Sequence, residues 1–295
     1  MRFVPRHLPV THSSVARLAE YIAESKRMLV LTGAGLSTES GLPDYRSEDV
    51  GLYARTNRRP INYQTFIRSE EARKRYWARN FIGWPYFSQV QPNAGHFILA
   101  DWFNKNRLFG IITQNVDRLH QRAGSNDVLE LHGTTHIVKC LNCGNLCKRS
   151  ELQQRFVELN PTLGEYDSPN VETVAPDGDI ELPEEIVRQF RVPACAKCKD
   201  GILKPDVVFF GENLPQERRV EAGALVSEAD LLLCLGTSAQ AYSCYRLVLQ
   251  AAEQKIPVVV VNIGPTRGDP LAHLIVNARI SETLGGVDRM LSGSP

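Results

Sequence analysis

The stretch that decides the fold is MLVLTGAGLSTESGLPDYR, residues 28–46. It opens with apolar residues that do not alternate with polar ones, which is typical of a parallel strand buried on both faces. The strand runs directly into Gly33 and Gly35, and a glycine-rich turn between a strand and a helix lets the backbone approach a pyrophosphate. The next glycine is Gly41, so the spacing differs from the standard dinucleotide-binding fingerprint.

Four further apolar segments repeat this pattern, and each ends in small or polar residues. Open α/β sheets bind ligands beyond the carboxyl ends of their strands, so these residues are expected to share one crevice. With a helix predicted over residues 13–25, the pattern predicts an α/β fold, a Rossmann-like doubly wound parallel sheet. The segments are 109–113 before Gln114, 128–131 before His132, 230–235 before Gly236, and 256–261 before Asn262.

Two regions do not follow this pattern of apolar segments. One is rich in arginine, aromatic residues and helix formers, and the other contains two pairs of cysteines. We therefore expect a Rossmann-like large domain made of residues 1–47, 96–133 and 206–295. A small discontinuous domain then consists of a helical insertion, 48–95, and a zinc-binding module, 134–205.

The composition narrows the class of protein. The chain has 295 residues, a formal net charge of +1 and 43% hydrophobic residues, which is ample for a buried core. Near-neutral charge gives no electrostatic reason to expect nucleic acid or an anionic membrane as a partner. No apolar run is long enough to span a bilayer, and the first residues lack a secretory apolar region.

Four of the seven cysteines form two C-x-x-C pairs, which indicates reduced thiols and a metal rather than disulfides. Two such pairs complete a closed tetrahedral Zn²⁺ site, which leaves no position for substrate and is therefore structural. Cys147 is a nearby alternative ligand. Between the pairs, residues 159–185 are acidic and without periodicity, which predicts a long surface loop. The favoured ligands are Cys140, Cys143, Cys195 and Cys198.

His132 is the strongest candidate for a catalytic base among seven histidines. It ends a predicted buried strand, where the ligand should lie, and Gly133 leaves space beside it. An imidazole with an ordinary pKa near 6.5 suits proton transfer at neutral pH. Residues 114–117, QNVD, add amide donors, amide acceptors and a carboxylate at a neighbouring strand end.

These motifs together resemble the signatures of the sirtuin family. Residues 33–46 resemble GAGxSxxSGIPDFR, and residues 113–120 resemble TQNxDxLH. The strings LHG, KPDVVFFGE, GTS and VN follow in the family's order, so the resemblance spans residues 33–262. The strings HGTTHIVKCLNC and NIGPTRGDPLA are most similar to the mitochondrial sirtuin 4 branch, in class II.

The resemblance implies an NAD-dependent protein lysine deacylase of the lipoamidase/deacylase type. NAD⁺ is then a consumed co-substrate, and one structural Zn²⁺ is bound per chain. The products are free lysine, nicotinamide and 2′-O-acyl-ADP-ribose, and the partners are acyl-lysine proteins or peptides in the mitochondrial matrix. The alternative is mono-ADP-ribosyl transfer to protein at the same site.

The resemblance also implies roles for individual residues. His132 is the base, Asn115 and Asp117 hold nicotinamide, and Gln114 contacts the ribose. Val208 and Phe209 lie near the acyl-lysine, beside a strand edge with which an extended peptide could pair. The residues expected to bind NAD are Gly33, Ala34, Gly35, Thr38, Asp44, Tyr45, Arg46, Gln114, Asn115, Val116, Asp117, Gly236, Thr237, Ser238, Asn262, Ile263, Gly264 and Ile280.

One departure concerns the acyl group. The desuccinylase branch of the family carries a Tyr-x-x-Arg pair that recognises an acidic acyl group. In an ungapped alignment its two positions fall at Asn80 and Gly83. The resemblance therefore disfavours a dedicated desuccinylase.

Overall fold

The computed structural model describes residues 2–163 and 173–293. In that part of the chain the helices are α1 (His12–Glu24), α2 (Ala34–Ser37), α3 (Leu52–Arg55), α4 (Tyr63–Arg68), α5 (Glu70–Gln89), α6 (Ala94–Asn104), α7 (Leu119–Arg122), α8 (Arg149–Leu159), α9 (Glu184–Gln189), α10 (Gln216–Glu228), α11 (Tyr242–Glu253) and α12 (Ile280–Ser292). The strands are β1 (Met28–Thr32), β2 (Gly110–Thr113), β3 (Val128–Glu130), β4 (Gly133–Cys140), β5 (Leu146–Lys148), β6 (Leu203–Val207), β7 (Leu231–Leu235), β8 (Val258–Val261) and β9 (Leu274–Val276).

Six of these strands form one parallel sheet in the order β3-β2-β1-β7-β8-β9. Strands β2 and β3 are added on one side of β1, whereas β7, β8 and β9 are added on its other side. The strand order therefore reverses between β1 and β7. In open α/β sheets such a reversal opens a crevice at the carboxyl ends of the two strands. The predicted Rossmann-like sheet is confirmed, and its topology determines where a ligand can bind.

Helices cover both faces of this sheet. On one face α1, α6 and α12 pack together, with Leu18, Trp102 and Leu284 fully buried. On the other face α10 and α11 pack over a second apolar cluster that includes Val226 and Leu247. The unalternating apolar strands were therefore a correct sign of a sheet covered on both sides.

A second, antiparallel sheet of three strands has the order β5-β4-β6. Its core joins side chains from both interrupting regions, including Phe66 and Trp77 from the first and Phe156 and Phe190 from the second. Strand β6 continues to Val207, two residues past the expected boundary at 205, because its register with β4 runs to the Gly133–Val207 pair.

The sequence missed β9 and misjudged the segment 159–185. Strand β9 is only three residues long, too short for a periodic signal. The expected long surface loop is wrong for the described residues, because Val174, Ala175 and Ile180 are buried in or beside the small-domain core. Residues 164–172 lie outside the described part of the chain. Among the described residues, no helix is both long and apolar enough to cross a membrane.

Candidate active site

One cavity of about 1460 Å³ opens beyond the carboxyl ends of β1 and β7. Every residue that the sequence assigned to NAD, to the base or to the acyl-lysine lines this cavity. The second sheet forms its opposite wall through Val207 and the residues that follow. The structure therefore brings the predicted site residues together in one crevice at the point where the strand order reverses.

Gly33 and Gly35 allow two loops to pack backbone against backbone at this point. The Gly35 N–H donates to the Gly236 carbonyl oxygen at 2.9 Å. A Cβ on Gly33 or Gly35 would lie 2.8 Å from that same oxygen, closer than real Cβ atoms approach. The two glycines are needed because the loop after β1 closes onto the loop after β7, in addition to any approach to a phosphate.

Asn115 and Asp117 belong to one buried hydrogen-bond network. The Asn115 side-chain amide donates to the Gly33 carbonyl and to the Ser37 hydroxyl oxygen, each at 3.1 Å. Ser37 in turn donates to Asp117 Oδ2 at 2.7 Å, and the Leu119 N–H donates to Oδ1 at 3.0 Å. Burial raises the pKa of Asp117, although these bonds to the carboxylate act in the opposite direction. The network fixes both side chains at the floor of the cavity.

Gln114 connects three strand ends. Its side-chain amide donates to the Thr32 carbonyl oxygen at 3.1 Å and to the Thr237 hydroxyl oxygen at 2.9 Å. Thr32 ends β1, and Thr237 follows β7. The amide oxygen of Gln114 is consequently the part of this side chain that is free of these contacts and can accept from a ribose hydroxyl.

His132 follows β3, and its ring has a defined orientation. Its Nε2 lies 2.8 Å from the Ser243 hydroxyl, and the Gln114 backbone carbonyl accepts a hydrogen bond from the ring. Nε2 is the atom at Ser243, so Nδ1 is the donor to Gln114. Burial lowers the pKa of His132 to about 4, so the ring is neutral at pH 7. A neutral imidazole with an Nε2 lone pair is the form a general base requires.

Gly133 lets the chain leave the large sheet for the small one directly after the base. Its φ is +79°, and a Cβ there would lie 1.8 Å from the Asp206 carbonyl oxygen. Here β4 pairs with β6, and the Val208 N–H donates to the His132 carbonyl oxygen at 2.9 Å. The Phe209 N–H is also taken, by Glu212 Oε2 at 2.8 Å. The expected open strand edge is therefore wrong at these two N–H groups, and Val208 and Phe209 offer side chains to the cavity.

The loop after α2 is shaped by its own aspartate. The Asp44 carboxylate accepts from the N–H groups of Arg46 and Ser47 at 2.9 and 2.7 Å. The Tyr45 ring lies 6.2 Å from the Phe210 ring, across the cavity from the sheet. Arg46 is exposed at the mouth of the cavity. Asp44 thus holds the loop in shape, while the exposed Arg46 guanidinium lies 5.7 Å from the centroid of the Tyr53 ring.

The four paired cysteines converge beside the small sheet. Their sulfur atoms all lie within 4.8 Å of one another, and Cys147 is not part of the group. Backbone N–H groups support two of the sulfurs, from Cys143 to Cys140 at 3.5 Å and from Lys197 to Cys195 at 3.4 Å. Four thiolates at this spacing fit a tetrahedral Zn²⁺ and leave no fifth position, as in structural zinc sites.

The sequence analysis missed several parts of the cavity wall, and three of them matter most for the site. They are Ser243 on α11, Asp177 of the small domain, and residues 4–8 near the start of the chain. None carries a local motif, because each reaches the cavity through contacts between segments distant in sequence. Phe3, with 2% of its surface exposed, anchors the last of these segments.

Comparisons with known proteins give the family. The sequence profile of the Sir2 family matches residues 33–243. The chain belongs to the Sir2 family, the sirtuins. It is 52% identical over 286 residues to the Bos taurus protein named NAD-dependent protein lipoamidase sirtuin-4, mitochondrial, covering 97% of this chain and 89% of that one. It is 47% identical to the Drosophila melanogaster NAD-dependent protein deacylase Sirt4, covering 96% and 89% of the two chains.

Solved structures of the family share the fold. One Sir2 structure, described with a deacetylated p53 peptide and 3′-O-acetyl-ADP-ribose, matches 96% of this chain and all of its own. The TM-score is 0.74 at 29% sequence identity. The resemblance drawn from the motifs, including its sirtuin 4 branch, is confirmed by these matches.

Proposed function

We propose that this sirtuin is an NAD-dependent protein lysine deacylase in which His132 is the catalytic base. One observation carries the proposal. The neutral His132 ring, the Asn115–Asp117 network and the loop carrying Arg46 all face one cavity. The names of the relatives support the same activity and favour it over ADP-ribosyl transfer.

We infer one step for each of these groups. The acyl-lysine amide oxygen attacks the anomeric carbon of the nicotinamide ribose, and nicotinamide leaves. His132 Nε2 then takes a proton from a ribose hydroxyl, so that the 2′-oxygen attacks the imidate carbon. Addition of water and collapse release lysine and 2′-O-acyl-ADP-ribose. The buried network around Asn115 positions nicotinamide, and the zinc module stiffens the opposite wall without taking part in the chemistry.

The test is incubation with NAD⁺ labelled in the ADP-ribose and an acyl-lysine peptide, followed by mass spectrometry. We expect label in acyl-ADP-ribose, with one nicotinamide released for each lysine freed. Label retained on protein, without acyl-ADP-ribose, would instead support mono-ADP-ribosyl transfer.

We further propose that Asp177 selects neutral acyl groups. It lines the cavity wall that also contains Ile61 and Phe209. Arg58 and Arg79 both pair with Asp179, at 2.7 and 2.9 Å. Among the described residues no ion pair reaches Asp177 itself; its carboxylate accepts backbone N–H groups, that of Asp179 at 3.3 Å and its own.

An ionised carboxylate in this wall opposes an acyl group that ends in a carboxylate. Burial raises the pKa of Asp177 to about 6, so the group is ionised above that pH. The two positions that align with the family's Tyr-x-x-Arg pair, Asn80 and Gly83, also have no room for those side chains. Asn80 accepts a hydrogen bond from the buried Arg149 at 3.1 Å, and a Cβ on Gly83 would lie 2.0 Å from the Gly178 carbonyl oxygen. A neutral acyl group such as lipoyl fits this wall.

The substitution D177N tests this specificity. We expect kcat/KM for a succinyl-lysine peptide to rise about tenfold relative to a lipoyl-lysine peptide, which corresponds to about 1.4 kcal/mol. Glu181 is an exposed acid of the same segment that does not line the cavity, so E181Q is the matched control. An unchanged succinyl-to-lipoyl ratio in D177N would refute the role of Asp177 while leaving the deacylase activity intact.

We also propose that the protein acts in the mitochondrial matrix. The support is the word mitochondrial in the name of the bovine relative. Fractionation of cells that express the protein with a C-terminal tag, with protease protection of the matrix fraction, tests this location. A tag recovered only outside mitochondria would contradict it.

A further inference from the structure

Two buried histidines lie behind the active site and take no part in the mechanism above. His96 on α6 and His120 on α7 have 0% and 1% of their surfaces exposed. Their ring centroids are 5.1 Å apart, and the ring planes are inclined by 63°. Neither ring lines the cavity. Both ring nitrogens of a buried imidazole need hydrogen-bond partners, since an unpaired buried polar group is costly.

The hydrogen bonds of His120 determine its tautomer. Its Nε2 lies 3.0 Å from the Thr32 hydroxyl oxygen. Thr32 gives its only hydroxyl proton to Thr113 Oγ1, at 2.8 Å. His120 Nε2 must therefore be the donor to Thr32, and in the neutral ring Nδ1 is then an acceptor. Burial lowers the pKa of His120 to about 4, so the ring is neutral at pH 7.

The hydrogen bonds of His96 also determine its tautomer. The Asn93 N–H donates to His96 Nδ1 at 3.3 Å, as part of the capping box of α6. In the neutral ring the proton then sits on Nε2. His96 Nε2 is thus a donor and His120 Nδ1 an acceptor. Both are buried, and neither has a partner among the described protein groups.

Ser125 supplies a third buried group, and its backbone is hydrogen-bonded to that of His120. Its N–H donates to the His120 carbonyl oxygen at 3.0 Å, so it lies against the same residue. Its hydroxyl is fully buried and is likewise without a partner within the described residues. A donor, an acceptor and a hydroxyl make up the set that a buried water molecule satisfies, since such waters make about three hydrogen bonds.

The chain of bonds continues to the nicotinamide-binding loop. Thr113 Oγ1 accepts the Thr32 proton and also accepts the N–H of Asn115, at 3.1 Å. The backbone of Asn115 is therefore held by a threonine whose own partner is oriented by His120. A shift in this chain moves the backbone of Asn115, and with it the side chain that the proposed function assigns to nicotinamide.

We propose that His120 is a positioning residue for Asn115, and that His96, His120 and Ser125 share one ordered water molecule. The water fixes both imidazole tautomers and completes a hydrogen-bond chain from α6 to the active site. The kinetic consequence rests on the proposed function, whereas the tautomers and the water do not.

The kinetic test compares H120Q with H120L. Glutamine keeps a donor near the position of Nε2, and leucine has none. We expect H120L to weaken inhibition by nicotinamide and to lower kcat by about tenfold, as misplacement near a reacting centre does. The KM for the acyl peptide stays unchanged, and H120Q retains most of the activity. The control is H273Q, because His273 is exposed at the far edge of the sheet and accepts only the Val258 N–H.

Equal nicotinamide inhibition in H120L, H120Q and the wild type would overturn the positioning role. An inactive wild type would instead overturn the proposed function, so the two failures are distinguishable. If H120L does not fold, H96L gives the same comparison, because it removes the donor to the water and leaves His120 in place.

Two structural measurements are independent of activity. Nitrogen-15 NMR of labelled histidines should show the Nε2–H tautomer for both His96 and His120 at pH 7. A high-resolution crystal structure should show one water molecule within hydrogen-bonding distance of His96 Nε2 and His120 Nδ1. An Nδ1–H tautomer at His120, or two rings packed with no water between them, would refute the shared-water arrangement.

Discussion

Every residue of strands β1, β7 and β8 is buried, whereas strand β5 of the small sheet has no buried residue. The large sheet is stabilised by apolar strands covered on both faces. The small sheet packs one face against an aromatic cluster, and its far end depends on four cysteines that fit a metal. The two halves of the crevice therefore differ in what holds them together.

This difference explains the division of labour in the molecule. Rigid strand ends of the large sheet carry His132, the proposed base, and the groups proposed to bind nicotinamide, where small displacements cost most. The small domain presents Asp177 and Phe209 from a wall that can vary without disturbing the base. Substitutions or changes of pH that act on one half should therefore alter properties that the same changes in the other half leave unchanged.

The largest expected effect is loss of the metal. The substitution C195S should abolish zinc binding and unfold the small domain, because a structural zinc site contributes on the order of 10 kcal/mol to folding. Zinc content and the thermal unfolding of the purified protein measure this directly. C147S is the control, since Cys147 lies outside the ligand group. Loss of zinc from C147S with retention in C195S would contradict the ligand assignment.

Acid should destabilise mainly the large-sheet half. Burial lowers the pKa of His120 and His132, and of His136 on β4, from 6.5 to about 4, and holds that of His96 well below 6.5. Each lowered pKa favours the unfolded state as pH falls from 6.5 towards 4, because the unfolded chain binds a proton that the folded chain does not. Three carboxyls act in the opposite direction, because burial raises the pKa of Asp177 to about 6 and also raises the pKa of Asp117 and Glu130, but they are fewer than the four histidines.

The Tm should therefore fall progressively below pH 6.5, and H120Q should show a shallower fall because it removes one of these titrating rings. Thermal unfolding followed from pH 7.5 to pH 4.5 measures both curves. A Tm that is flat over this range would show that the buried rings titrate at their ordinary values.

A smaller effect, on the KM for NAD⁺, is expected from a substitution in residues 3–10, which contact both halves of the molecule. Phe3 is buried, with the Arg55 guanidinium 4.9 Å from its ring centroid, and the Val10 N–H donates to Glu282 on α12 at 3.2 Å. Residues 4–8 between these anchors line the cavity. The substitution F3A should raise KM for NAD⁺ about tenfold, or about 1.4 kcal/mol of binding free energy, with kcat little changed.

Phe97 on α6 is 52% exposed and does not line the cavity, so F97A is the matched control and should behave as the wild type. Steady-state kinetics with NAD⁺ as the varied substrate distinguishes the two variants. If F3A and F97A give the same KM, the segment does not shape the NAD⁺ site.

The sequence predicted the large sheet better than the small domain, for physical reasons. Apolar strands followed by glycine or polar residues carry a local signal, and all five predicted strands lie in the sheet. The aromatic residues of α5 carried no comparable signal, because they pack against distant segments of the chain, as in the ring pairs Trp77–Phe156 and Phe81–Phe190. Asp177 and residues 4–8 reach the cavity only through such tertiary contacts. The four clustered cysteines were predictable because the spacing within each C-x-x-C pair is dictated by metal chemistry.

We infer that His132 acts after nicotinamide has left. Two reactions of H132A separate the steps before and after this point, exchange of labelled nicotinamide into NAD⁺ and formation of 2′-O-acyl-ADP-ribose, both with acyl peptide present. We expect exchange to survive, while product formation falls by about 10²- to 10⁴-fold, the usual contribution of a general base. Product formation at the wild-type rate in H132A would contradict it.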